Sequence, residues 1–325
     1  MKRILSTHSY GQYPAWASRV DSIARQSMPP GKLFRELIRR AGNYDAMILN
    51  GSIGIAERFV DLLAAMTIRR TRSRPPAIIL TDCSWKLGDL LLDRVAMRAG
   101  AAVLDGPRIR FCVVSTMEAQ LFPRRWGVKP EHVLFTPGGN RLTEEEHLLG
   151  TSTTGGVFAG GNSLRDYATL LDAVRDLDVP VQILTGNVIN TKGKLPPNVH
   201  VGPIRSHQHF LDGLRNAAVV VTPLQKTAQR AAGVDTYLSA MALGKLAIVS
   251  DGPATRDYIE PGRTGLIVPA GQWTPLRNAI RWALDPANAI EVAAIGRRAE
   301  EAAWGRFSFE SYVHSLLNAV DGVLK

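Results

Sequence analysis

The chain has 325 residues, 45% of them hydrophobic and 21% charged, with a net charge of +10 at neutral pH. This composition fits one large or two medium globular domains and excludes a disordered chain. No apolar run is long enough to predict a membrane span, the apolar stretch after Met1-Lys2-Arg3 is too short for a signal peptide, and two cysteines make no disulfide framework, so a cytoplasmic protein is expected.

In chain order, short apolar runs predict strands at 3–6, 46–49, 77–80, 111–115 and 132–136. Amphipathic spacing predicts helices at 30–40, 55–70, 87–99 and 118–126. The polar stretch 150–156 is the best linker. The alternation then restarts, with strands at 157–159, 181–184, 199–201, 218–221, 246–249 and 265–268. Helices are expected at 166–177 and 208–216, and through most of the tail from 275 to 324. Such alternation predicts α/β domains with parallel sheets, whose ligands sit beyond the carboxyl ends of the strands. The expected division is 1–150, 151–305, and a C-terminal helix from 306 to 325 that packs back on the first domain. The basic excess lies in the first of these: residues 1–150 hold 22 Lys and Arg against 14 Asp and Glu, leaving 17 against 15 for the rest. Its densest cluster, Arg69, Arg70, Arg72 and Arg74, follows the apolar stretch 59–68. It could meet an anionic membrane surface or a phosphorylated acceptor, or be a solvated face.

Two stretches carry chemistry. In 158–173, a strand ends at Gly160 and Gly161, which let a ligand approach the backbone. Asn162 or Ser163 could cap the next helix, and Arg165, in its first turn, could fork onto phosphate. In 232–252, Gly233 opens a turn and Asp235 or Thr236 caps a helix that carries Leu238, Met241 and Ala242 on one face. Gly244 suits its end, and a buried strand follows. A helix N-terminus on such a loop is an anion site, because its first N–H groups lack partners.

Together with 251–269, these stretches resemble the donor domain of GT-B glycosyltransferases of the group 1 type. The resemblance is good over about 157–285 and only general in the first half. It implies two Rossmann-like α/β domains facing a cleft. It further implies a nucleotide-diphosphate sugar as donor and no cofactor; no metal is expected because Arg165 and the helix N-terminus can do a cation's task, and aromatics not interleaved with the basic run argue against a nucleic-acid partner. Gly160, Gly161, Asn162, Arg165, Gly233, Val234, Asp235 and Thr236 would hold the diphosphate and sugar. Gly186 and Asn187 would line the donor cleft, and Pro203 and Ile204 would read the base. Two departures stand out. The basic residue that usually follows the first glycine is replaced by Gly161. Two glutamates eight residues apart are replaced by Ala231 and Ser239. Ser239 could bond a ribose hydroxyl, and Asp235, Gln225 or Gln229 could take over the sugar contact.

The first domain would hold the acceptor, a small molecule, a glycan or a lipid-linked group, which would place the protein at the inner face of a membrane. Asn50, Gly51 and Ser52, with Ile53 and Gly54, form one strand-end loop. Asp82 ends another strand and is a candidate general base, with His8 a second. Each also reads as a satisfied turn residue. Cys83 has no histidine near it in sequence and is discounted as a nucleophile. The phosphate-loop likeness of 186–194 fails on spacing, and His207-Gln208-His209 lacks further ligands for a metal. A non-catalytic nucleotide-sugar-binding protein on the same fold remains an alternative because of Ala231 and Ser239. A basic nucleic-acid-binding protein is a second, distinguished by steep salt dependence.

Overall fold

A computed structural model describes residues 3–52, 59–86, 91–152, 155–189 and 195–325. Ile53, Gly54, the expected helix starts at 55 and 87, and the end of the 186–194 loop lie outside them. Two compact units result, Met1–Pro137 with Glu310–Lys325, and Gly138–Phe309.

The first unit runs β1 (Ile4–Ser6), α1 (Pro14–Ala17), β2 (Val20–Ser22), α2 (Pro30–Arg40), β3 (Ala46–Asn50), α3 (Phe59–Thr71), β4 (Ala77–Thr81), α4 (Leu91–Leu104), β5 (Ile109–Val113), α5 (Thr116–Trp126) and β6 (Val133–Phe135). Its six-stranded sheet has the order β2-β1-β3-β4-β5-β6, parallel throughout. Strands β3 and β4 are buried along their whole length, which is why they read as unbroken apolar runs rather than alternating ones. Helix α2 starts with a proline at its first position and buries Leu33 and Leu37, one turn apart. The short edge strand β2 escapes sequence reading because only Val20 of its three residues is buried.

The second unit runs α6 (Glu144–Leu148), β7 (Val157–Gly160), α7 (Tyr167–Val174), β8 (Val181–Leu184), β9 (Val199–Gly202), α8 (His207–Asn216), β10 (Val219–Thr222), α9 (Val234–Ala242), β11 (Leu246–Ser250), α10 (Thr255–Tyr258), β12 (Leu266–Val268), α11 (Trp273–Leu284) and α12 (Ala289–Trp304). Its parallel sheet has the order β12-β11-β10-β7-β8-β9. Strand order therefore reverses between β7 and β10, and beyond the carboxyl ends of such a pair a ligand finds a natural crevice.

The division falls at Pro137 rather than at 150 because the intervening chain is tied to the second unit. Asn140 N donates to Phe307 O at 2.7 Å, His147 Nε2 lies 3.1 Å from Glu300 Oε1, and Arg215 Nη2 donates to Glu146 O at 2.5 Å. The last helix, α13 (Phe309–Leu324), belongs to the first unit from Glu310 on, where Arg19 forks onto Asp321 with bonds of 3.0 and 2.5 Å.

Candidate active site

The loop after β7 is shaped by a pairing that no local pattern reveals. Asp166 N donates to Pro223 O and Gln225 N to Leu164 O, both at 3.0 Å, so residues 164–166 lie against 223–225 across the strand-order reversal. Leu164 is held at φ 53°, a left-handed conformation rare outside glycine. Arg165 consequently lies before the helix, not in its first turn. The cap of α7 is Asp166, which accepts from Thr169 N at 3.1 Å, rather than Asn162 or Ser163. Asn162 instead braces two strand ends: its Oδ1 accepts from Gly186 N at 2.7 Å and Thr185 Oγ1 at 3.0 Å, and its carbonyl accepts from Asn187 Nδ2 at 2.6 Å. Ser163 Oγ accepts from Arg230 Nη2 at 2.9 Å.

Arg165 is only 8% exposed. Its Nε donates to Gly160 O at 3.0 Å, Nη1 to Ser163 O at 2.7 Å, and Nη2 to Thr236 Oγ1 at 3.0 Å. Burial pulls its pKa down, yet a guanidinium stays charged at neutral pH. Among the described residues no carboxylate pairs with it within salt-bridge distance. A buried cation with only neutral acceptors is costly in isolation and favours an anion nearby.

That guanidinium is tied to the start of α9. Gly233 is the N-cap, at φ 82°, and supplies no capping side chain; Asp235 and Thr236 stand inside the first turn and do not cap it. A Cβ at Gly233 would lie 2.6 Å from Thr222 Cγ2 and 3.4 Å from Arg165 Nη1, so only glycine fits. Val234 opens the helix. The first N–H groups thus combine with the Arg165 charge beside them.

Next to this helix start is a cavity of about 320 Å³, within the range of small-ligand pockets. Its lining joins five residues singled out from the sequence: Gly161, Ile204, Asp235, Thr236 and Ser239. It also holds Arg141, His207, Phe210 and Leu238, which sequence reasoning did not place in the donor site. Arg165, Gly233, Gly160, Val234, Asn162, Gly186 and Asn187 are not among its lining residues. Exposed Pro203 precedes Ile204 without lining it. Ala231 is buried, and among the described residues Asp235 is the one carboxylate in the lining.

In the first unit the strand order reverses between β1 and β3. Beneath this point is Asp61, fully buried on α3, which the sequence reading missed. Its Oδ2 accepts from Thr7 Oγ1 at 2.5 Å, Asn50 N at 2.8 Å and Arg25 Nη1 at 3.2 Å. Desolvation raises its pKa against those three donors. A lone acid between Val60 and Leu62 on an apolar helix was the available signal. His8 follows β1, with Nε2 3.0 Å from Thr81 Oγ1 and Nδ1 3.2 Å from Tyr10 Oη. Asp82, next to Thr81, has φ 54°, and such strain is concentrated at functional positions. Asn50 Oδ1 accepts from both Ser52 N at 2.9 Å and Ser52 Oγ at 2.6 Å, and Gly51 N donates to Thr81 O at 2.7 Å, so this turn is largely satisfied within itself. Cys83 is buried, which pushes its thiol well above the ordinary range and keeps it protonated.

The arginine cluster is divided. Arg69 donates to Val103 O at 2.6 Å and to Asp105 O, and Arg72 to Ile38 O at 2.7 Å, so these two cap backbone carbonyls. Arg70 and Arg74 are exposed. Among the described residues no helix is long and apolar enough to cross a membrane.

Residues 191–301 match the family described as glycosyl transferases group 1. No curated protein matches the chain by sequence. Among solved structures, HepE of Anabaena in complex with UDP-glucose is similar over 98% of this chain and 91% of its own, at 13% identity and a TM-score of 0.68. A glycosyltransferase from Rickettsia africae is similar over 99% and 90%, at 13% identity and 0.66. Sucrose-phosphate synthase from Thermosynechococcus elongatus is similar over 94% and 83%, at 16% identity and 0.64. The segment that matches the group 1 glycosyl transferases lies in the second unit, and the chain carries the two-domain GT-B glycosyltransferase fold over nearly its whole length.

Proposed function

We propose that the second unit holds the diphosphate of a nucleotide sugar against the start of α9, and that the first unit presents an acceptor hydroxyl. The observation that carries this reading is Arg165: a buried guanidinium that no carboxylate among the described residues meets within salt-bridge distance, bonded to Thr236 in the first turn of a helix with no side-chain cap. HepE, similar in fold, is known in complex with UDP-glucose and with UDP. As the bond from sugar to phosphate breaks, negative charge grows on the leaving diphosphate. Arg165 and the first N–H groups of α9 already point their positive ends there and need no reorganisation. They do the work of a cation, so transfer is read as metal-independent. Ile204 would border the base, Ser239 would bond the ribose, and Asp235 would take a sugar hydroxyl. Asp82 is the preferred base, since both ring nitrogens of His8 are engaged by Thr81 and Tyr10. Incubation with UDP-glucose and other nucleotide sugars should release sugar slowly without acceptor. Absence of both release and binding across the panel would reject the reading.

A lipid-linked acceptor is supported by α4, where Leu92 and Val95 are 79% and 57% exposed beside exposed Arg94 and Arg98. An apolar surface flanked by arginines suits an anionic bilayer.

A further inference from the structure

We propose that the first unit binds a small phosphate-bearing anion in a basic cavity at the amino ends of β5 and β6. The site is separate from the candidate acceptor loops and does not depend on the donor reading above.

The topology sets its place. The lining comes from the last turn of α3, the turn after α4, the start of β5 and the turn before β6. His8, Asn50 to Ser52 and Asp82 instead stand at or beyond the carboxyl ends of β1, β3 and β4 in the same parallel sheet. The two groups of residues therefore lie at opposite ends of the strands. The cavity has a volume of about 520 Å³, enough for a small organic ligand rather than a bare ion alone.

Three cations line it, Arg69, Arg110 and Lys129. Arg69 donates from Nε to Val103 O at 2.6 Å and from Nη2 to Asp105 O, which satisfies carbonyls at the end of α4. Its Nη1 is left over. A Cβ at the lining residue Gly106 would collide with that nitrogen, so the glycine makes room for the guanidinium. Arg110 spends Nη1 on Pro107 O at 3.0 Å and Ile109 O at 2.7 Å. That leaves Nε and Nη2, the edge of a guanidinium that meets two oxygens of one anion. The Lys129 side chain is exposed and makes no hydrogen bond among the described residues; only its backbone N is used, on Asp105 Oδ1 at 3.3 Å. No carboxylate among the described residues meets any of the three cations within salt-bridge distance. Of the two lining carboxylates, Asp105 has His132 Nδ1 at 2.6 Å from its Oδ1, and Glu131 is exposed. Like charges gathered by the fold repel one another, and an anion between them reverses the sign of that interaction. A phosphate monoester, at about −1.5 to −2 charges near neutral pH, suits the three cations.

The test is calorimetric titration of inorganic phosphate, glycerol 3-phosphate and glucose 6-phosphate into the full chain, in a low-salt buffer free of phosphate and sulfate. The tightest binder is carried forward. Lys129→Ala and Arg110→Gln should each weaken it about 10-fold or more. Lys129→Ala should leave the melting temperature unchanged, and Lys129→Arg should keep most of the affinity. Arg108→Ala, which removes an exposed arginine outside the lining, should bind as the unmodified chain does. The ligand should slow hydrogen exchange in peptides covering 103–110 and 128–133 and leave those covering 160–165 and 233–239 as they were. A tighter ester than inorganic phosphate would show that the cavity also reads the organic part; equal affinities would make free phosphate the ligand. Binding of none of the three probes would overturn the proposal. So would unchanged affinity in Lys129→Ala and Arg110→Gln, an equal loss on Arg108→Ala, or protection confined to the second unit.

Discussion

A guanidinium can be structural and functional at once, and the donor reading proposed above asks both of Arg165. Its bonds to Gly160, Ser163 and Thr236 hold the loop after β7 against the start of α9. Arg165→Ala should therefore lower stability, by about 1–3 kcal/mol for the acceptors left unpaired, and weaken nucleoside-diphosphate binding by about 1.5–3 kcal/mol. Nucleoside binding should barely change. Calorimetry with UDP and uridine at a temperature well below the variant's melting point separates the two effects, and equal losses for both ligands would remove Arg165 from the phosphate role. Lys245 offers a contrasting residue-scale test. Its Nζ donates to Ala217 O at 2.8 Å and to Ser152 O, and burial pulls its pKa down to about 8. The unfolded chain, with an ordinary lysine, binds more protons between about pH 8 and 10.4, so this group makes stability rise with pH across that window. Below pH 8 it costs up to about 3 kcal/mol. The urea-unfolding free energy of the native chain minus that of Lys245→Met should increase from pH 7.5 to 10. A constant difference would mean that the buried ammonium is not perturbed.

At the scale of elements, the turn into α9 is the most informative feature and also the most legible one. Gly233, the apolar spacing of Leu238, Met241 and Ala242, and the buried β11 are all local in sequence, and the helix and strand formed where that spacing placed them. The helix start was less legible. Asp235 and Thr236 are good capping residues, yet Gly233 caps because Thr222 and Arg165, remote in sequence, leave no room for a side chain. Arg165 escaped placement for the same reason, since the 164–166 pairing partner begins at residue 223. Gly233→Ala should lower the melting temperature and weaken diphosphate binding 10-fold or more, through a strained positive φ and the contact with Thr222 Cγ2. Adding Thr222→Ser removes that methyl and should recover part of both losses. If stability recovers and binding was never lost, Gly233 is only a packing glycine. The basic helices divide in a way composition could not show, because Arg69 and Arg72 find carbonyls at Val103, Asp105 and Ile38. In the membrane reading, the exposed Arg70, Arg74, Arg94 and Arg98 would contribute about 1 kcal/mol each near an anionic surface. Changing these four to Gln should abolish sedimentation with phosphatidylserine vesicles at low salt. A chain that ignores such vesicles unmodified has a soluble acceptor.

For the whole molecule, the two units make different demands on the same reaction, and ligand protection can tell them apart. The lining residues of the candidate donor cavity all belong to Gly138–Phe309, and the candidate acceptor loops to the first unit. The candidate donor residues Gly161, Asp235, Thr236 and Ser239 stood on local loop and helix patterns in the sequence, and they line one cavity. Asp61 and the turns it supports were not readable from sequence, because Thr7, Asn50 and Arg25 converge on it only through the fold. A nucleoside diphosphate that binds only the folded second unit should stabilise it by about 2.7 kcal/mol at a hundred times its dissociation constant. Hydrogen exchange should slow in peptides covering 160–165, 204–211 and 233–239, since these carry the cavity lining and the uncapped N–H groups of α9. Peptides covering 7–10, 50–52 and 81–84 should exchange as before, since the hydrogen bonds to Asp61 and Thr81 described above run within the first unit. Protection in the first unit without protection in the second would place the nucleotide at the wrong sheet. Protection in both would mean that donor binding also orders the acceptor loops, and the exchange at Asp82 would then report the coupling between donor and acceptor sites.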